Sequence, residues 1–140
     1  MKEANLVYPM FAMVLLTAAV LAILFRTRVR AVREGRVTAR YYKIYQGETE
    51  PGYAIKPARH FANLFEAPIL FYAACLTAMV THQATPLIQA LAWIYVSLRL
   101  IHAYVHLGSN KVRRRIGVYF TGWLVLLAMW LVIATGVSIA

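Results

Sequence analysis

A chain of 140 residues that is 61% hydrophobic and 14% charged, with its apolar residues gathered into long runs, has the composition of a membrane protein and not that of a soluble core. Its formal charge of +10 sits in the connections between those runs, and no basic face is interleaved with stacking aromatics, so nucleic-acid binding is excluded. The length allows one domain, and a single cysteine, Cys75, excludes an intramolecular disulfide.

The first predicted span is 6–25, the length a bilayer core requires, with Tyr8 and Pro9 near its start and no charge inside it. No small-residue cleavage site closes it, so it reads as a span and not as a removable signal. Residues 26–57 form a long basic connection. Its first part, RTRVRAVREGRVTARYYKIY, is suited to continue as a basic helix out of the membrane. Its second part, QGETEPGYAIKP, has the Gly and Pro punctuation of a loop, with Pro57 in a first-turn position ahead of Arg59. The connection reads as an anchor on anionic lipid or as a loop at the mouth of a site.

The second predicted span is 61–80. Ahead of it and in its first turns stand Arg59, Asn63 and Glu66, which at i, i+4 and i+7 share one face of a continuous helix. Pro68 removes a backbone bond to Leu64 and predicts a kink just past Glu66, opening room beside the polar stripe. A short uncharged turn, THQATP, leads to the third span, 87–107. Here Tyr95, Arg99, His102 and His106 recur at i, i+4, i+7 and i+11, with Tyr104 on the other side. A second basic connection, GSNKVRRR, precedes the fourth span, 116–139.

Four spans put both termini on one side and both basic connections on the other. The positive-inside rule makes the basic side cytoplasmic, and the compact chain suggests a bacterial inner membrane. The polar stripes of spans two and three then lie at one depth, Glu66 about 10 Å below Arg59 at roughly 1.5 Å per residue. An ionisable residue at such depth is a functional-site hypothesis. Arg59 and Arg99 outnumber Glu66, and a buried excess of positive charge calls for a partner. A ligand with two carboxylates and one ammonium fits, arginines on the carboxylates and Glu66 on the ammonium; glutathione has that pattern, and a nearby arginine eases ionisation of its thiol. Two other readings stand beside this one. Arg59, Glu66 and Arg99 can form an interhelical ion-pair network that only fixes packing between subunits or helices. His102 and His106 can ligate a metal or haem, although no second ligand pair is evident and no metal is expected.

The run Arg59, Asn63, Glu66 with Pro68, together with the four spans and the segment RLIHAYVHLGSNKVRRR, resembles the MAPEG superfamily, membrane-associated proteins in eicosanoid and glutathione metabolism. The resemblance covers the chain from Tyr8 onward. It implies an all-α homotrimer of four-helix bundles in the bilayer, with glutathione as co-substrate between subunits and a lipophilic substrate arriving from the lipid. It maps glutathione binding onto Arg59, Asn63, Glu66 and Arg99, with His102 and His106 alongside. Thiol activation maps onto Arg113, or a neighbour among Arg114 and Arg115. One departure is His106, where active relatives carry a tyrosine. The implied activity is a glutathione-dependent transferase or peroxidase; the alternative is a non-catalytic membrane binding or scaffold protein of the same fold.

Overall fold

The first apolar run has neither Gly nor an interior Pro to interrupt it, and it forms one long helix, α1 (Val7–Arg33), after a 3-10 turn at Glu3–Leu6. The coordinates are a computed structural model, which describes residues 3–139 and the side chains of 5–136. α1 continues beyond its apolar run as a basic helix, but only to Arg33 and not through the predicted stretch to Tyr45, because Gly35 at φ +66° turns the chain out of the helix. Arg30 and Arg33 occupy its last turn, where cations suit the helix dipole.

The connection after α1 folds back on it. The Thr38 N–H and hydroxyl donate to the two oxygens of Glu48 at 2.7 and 2.6 Å, beside a single-turn helix α2 (Tyr41–Ile44). Arg28 lies 3.5 Å from Glu50 and 5.0 Å over the Tyr42 ring. Burial, with Glu50 beside it, pushes the Tyr42 phenol up to about 12. Arg30 and the Tyr53 hydroxyl donate to Glu34 at 2.6 and 2.7 Å, and these two hydrogen bonds hold its carboxyl below the usual range.

The second span differs from its prediction in two ways. It begins earlier, because the helix α3 (Gly52–Asn63) starts right after Pro51, and this leaves Pro57 in the helix interior and not in its first turn. It is also broken in two. The chain tightens through Phe65 N–H to Ala62 O and Glu66 N–H to Asn63 O, i to i−3 bonds of 3.0 and 3.3 Å. Glu66 then leaves helical geometry (φ −96°, ψ −102°), and α4 (Ala67–Val80) begins with Pro68 in its first turn. Pro68 has no N–H for the Leu64 carbonyl, so the interruption falls ahead of the proline, not past Glu66 as a simple kink. Backbone of this kind is tolerated at membrane depth where it lines a cavity.

The remaining helices follow the sequence more closely, the last starting a turn ahead of its predicted span. Thr85 caps α5 (Pro86–Leu107) by accepting from the Ile88 N–H at 3.3 Å, and Pro86 takes the first helical position. A turn then leads to α6 (Val112–Ile139), which packs along α5. Counting Gly52–Val80 as one span, four helices among the described residues are long and apolar enough to cross a membrane. No strand occurs among the described residues. The fold is an all-α four-span bundle. Ala74, Ala78 and Ala92 are fully buried, so the helices approach closely there, and Met13, Phe71, Ile88, Met129 and Ile133 fill the core between them. Phe11, Leu15, Ile69, Leu100 and Leu131 face outward, as a lipid-facing surface requires.

Candidate functional site

α5 supplies the rear wall. Its polar stripe is turned inward as the 3.6 period predicts: Tyr95, Arg99, His102 and His106 are all buried, whereas Tyr104 is 83% exposed on the opposite face. The stripe ends where α5 does. At Gly108 a Cβ would stand 2.9 Å from the Tyr104 carbonyl oxygen, so the turn out of the helix has room only for glycine.

Arg99 organises the centre of this wall and is 2% exposed. Its Nε donates to the Tyr95 hydroxyl at 3.0 Å, and its Nη1 donates to Asn63 Oδ1 at 3.3 Å. The guanidinium carbon lies 5.0 Å from the Tyr95 ring and 5.3 Å from the Tyr119 ring of α6. Asn63 in turn donates from Nδ2 to Glu66 Oε2 at 3.0 Å. Arg only donates and a carboxylate only accepts, so Asn63 has a single orientation available, Oδ1 to Arg99 and Nδ2 to Glu66. The helix break thus leaves the Arg59–Asn63 pair on one face of α3 and moves Glu66 off that helix, while the Asn63 amide keeps Glu66 attached to the stripe.

Arg59, Asn63, Glu66, His102 and His106 line one cavity of about 280 Å³, together with Arg115, Ile116 and Tyr119. This lies just under the size range of small-molecule pockets, roughly 300–1,000 Å³. A second cavity of about 270 Å³ adjoins it and shares Arg59, His106 and Arg115, with Lys56 and Asn110 on its far side. Arg59 and Glu66 are exposed, so the cavity opens at the surface of the single chain. Five of the seven residues proposed from sequence therefore meet in one place, and Arg99 stands behind them. The seventh, Arg113, is exposed in the first turn of α6 and lines neither cavity; Arg115 does, held by a 2.9 Å hydrogen bond from Nη1 to Asn110 Oδ1.

No ion pair joins Arg59, Glu66 and Arg99, although all three side chains are described. The packing-network reading therefore lacks its central contact within the chain.

Two further residues belong to the site and are not evident from the stripes. Tyr119 is one; the available signal is its i+4 spacing from Arg115 on α6. The other is His60, fully buried, whose Nδ1 lies 3.1 Å from His106 Nδ1. Its ring centroid is 5.3 Å from that of His102 and 5.1 Å from that of His106. A reading that follows only the Arg59 stripe passes over it, because adjacent helical residues face different ways. Among the described residues no group of three or more His, Cys, Asp or Glu is arranged to hold a metal ion, and two of these imidazoles share a hydrogen bond instead.

An apolar cavity of about 520 Å³ lies beside the break, between α1 and α3–α4, lined by Leu21, Phe61, Leu64, Phe65 and Tyr72 among others.

Comparison with protein-family models matches residues 6–135 to the MAPEG family. Neither the curated proteins nor the solved structures give a match. With nearly the whole chain matched, four membrane-spanning helices and the polar cavity between them, the protein belongs to the MAPEG family and is an integral membrane protein.

Proposed function

We propose that the protein is a glutathione-dependent membrane transferase or peroxidase acting on lipophilic substrates. The observation that carries this reading is the Arg99–Asn63–Glu66 relay at the wall of a cavity whose other charged members are Arg59 and Arg115. The relay presents a carboxylate beside two forked cations, which suits a ligand offering an ammonium, a carboxylate and an ionisable thiol, as glutathione does. Glu66 receives the ammonium, and Arg59 receives a carboxylate. Of Arg113, Arg114 and Arg115, the candidates that the resemblance implies for thiol activation, Arg115 takes the role, since a cation beside the thiol stabilises the thiolate. The thiol gives up its proton, and the thiolate sulfur forms a bond to an electrophilic carbon while the leaving group departs with the electron pair. In the peroxidase variant, two thiols are oxidised to a disulfide as a hydroperoxide is reduced to alcohol and water.

The apolar cavity beside the helix break supports a path for a lipophilic substrate from the bilayer. Exposed Arg59 and Glu66 fit a site completed by a neighbouring copy in a homotrimer. The basic connections are taken as cytoplasmic and both termini as lying opposite, in a bacterial inner membrane. His106, engaged by His60 where active relatives have a tyrosine, is the one observation favouring the non-catalytic reading.

Titration calorimetry of the detergent-purified protein with glutathione, followed by a conjugation assay on a generic aromatic electrophile, tests the proposal. Saturable binding lost in Arg59→Ala and Glu66→Ala, with turnover in the parent, is expected. Binding without turnover across electrophiles and hydroperoxides would support a binding protein, and unchanged affinity in both variants would reject the glutathione site.

A further inference from the structure

The His60–His106 contact constrains which ring nitrogen of His106 carries its proton. A hydrogen bond between two Nδ1 atoms at 3.1 Å needs one of them protonated and the other bare. Both rings are taken as neutral, because Lys56, Arg59 and Arg115 already line the cavities that His106 borders and Glu66 is the only carboxylate there. Two arrangements remain. If His106 donates, then His60 carries its other proton on Nε2, an atom that is buried without a partner. If His60 donates, that Nε2 is a lone pair, and His106 carries its proton on Nε2.

The second arrangement is favoured on two grounds. A buried N–H without an acceptor is the rarer defect in folded proteins. The surrounding charge points the same way. The ring of His60 meets that of His102, one turn of α5 beyond the buried Arg99 guanidinium, whose Nη2 also lacks an acceptor. A lone pair is stabilised near a guanidinium, whereas an N–H dipole is not.

We propose that His60 is a positioning residue that holds His106 in its Nε2–H form. Nδ1 is occupied by His60, so Nε2 is the ring nitrogen left for the cavity His106 lines. The cavity thereby gains a neutral, oriented donor for an anionic group of the ligand, either a carboxylate or the thiolate, without adding a further charge to an already cationic wall. A phenol can also donate there; the histidine pair supplies the same hydrogen bond by another route. The identity of the ligand rests on the glutathione reading above, but the tautomer does not.

The test is two-bond 15N–1H correlation NMR on protein with 15N-labelled histidine, at neutral pH and without ligand. His106 is expected as the Nε2–H form and His60 as the Nδ1–H form, each as a single species. His106 as Nδ1–H, as imidazolium, or as an exchanging mixture overturns the proposal, whatever glutathione does. His60→Gln, whose amide can still donate to His106, should keep the His106 signature. His60→Phe should release it into a mixture of tautomers, and glutathione affinity should fall about twofold, in proportion to the share of the Nε2–H form that is lost. Equal affinity for the Gln and Phe variants would overturn the link between tautomer and binding. Loss of all binding in the parent protein, with the tautomers as stated, would reject the glutathione reading and leave the positioning role intact.

Discussion

The cavity has two unlike walls. On α5, Tyr95, Arg99, His102 and His106 are buried within the chain and hold one another or α3. On α3 and the break, Arg59 and Glu66 are exposed, and only Asn63 ties them inward. Both walls read alike as polar stripes in the sequence. Burial separates their tasks: a side chain fixed by partners inside the chain sets geometry, and one with a face open to the cavity has capacity left for a ligand. On the proposed reading Arg99 is therefore a positioning group, and Arg59 and Glu66 are the groups that contact the ligand.

The largest effect that would break this division comes from Arg99→Met. The substitution preserves length but leaves the Tyr95 hydroxyl and Asn63 Oδ1 without a donor. An orphaned buried polar group costs roughly 1–3 kcal/mol, and Asn63 is only half-buried, so a stability loss of about 2 kcal/mol is expected. Thermal denaturation in detergent should show it, together with loss of glutathione retention. A stable variant that fails only in binding would place Arg99 among the contacting groups.

Glu66→Gln sharpens the other side. Glu66 is exposed and its partner Asn63 Nδ2 finds an amide oxygen in its place, so the denaturation midpoint should not move. Glutathione affinity should fall roughly tenfold to a hundredfold, the value of a hydrogen bond to a charged group. A midpoint that drops as far as in Arg99→Met would erase the difference between the walls.

The two basic candidates on α6 separate in the same manner. Arg115→Ala removes a cation that lines both cavities, and turnover in the conjugation assay should fall about a hundredfold. Arg113→Ala changes an exposed residue outside them, and an effect of about twofold or less is expected. The reverse ranking would return the thiol-activating role to Arg113.

The legible part of this site was set by local periodicity. Tyr95, Arg99, His102 and His106 sit on an uninterrupted helix, where spacing dictates direction, and the structure turns all four inward. The less legible part depends on contacts between distant segments. The break at Glu66 needs the i to i−3 bonds of 62–66 as well as Pro68, and proline alone predicts only a kink near it. His60 becomes part of the site through a contact 46 residues away, which no spacing rule contains. Arg113 and Arg115 are equivalent in composition, and only the register of α6 against α5 separates them. Helices α3 and α6 start ahead of the predicted spans because Gly52, Pro57 and the basic run at 113–115 are residues that a hydropathy window excludes, although the helices run through them.

The smallest expected effect concerns the folded connection, a third region against which both walls can be measured. Glu34 accepts from Arg30 and Tyr53, and its pKa is lowered in the folded protein. A lowered carboxyl pKa means that its contribution is present above the ordinary carboxylate value and is lost as pH falls through the depressed one. The groups are exposed, so the contribution is screened by salt and small. Glu34→Gln at neutral pH should speed amide hydrogen exchange in the connection around 34–51 while leaving the denaturation midpoint and glutathione affinity unchanged. Acidifying the parent protein should bring its protection in that connection, taken relative to the pH-dependent intrinsic exchange rate, toward that of the variant, and raised salt should narrow the gap between them. If Glu34→Gln instead weakened glutathione binding, the connection would have to count as a further wall of the site, because Tyr53 carries the disturbance directly into the first turn of α3, two turns from Arg59.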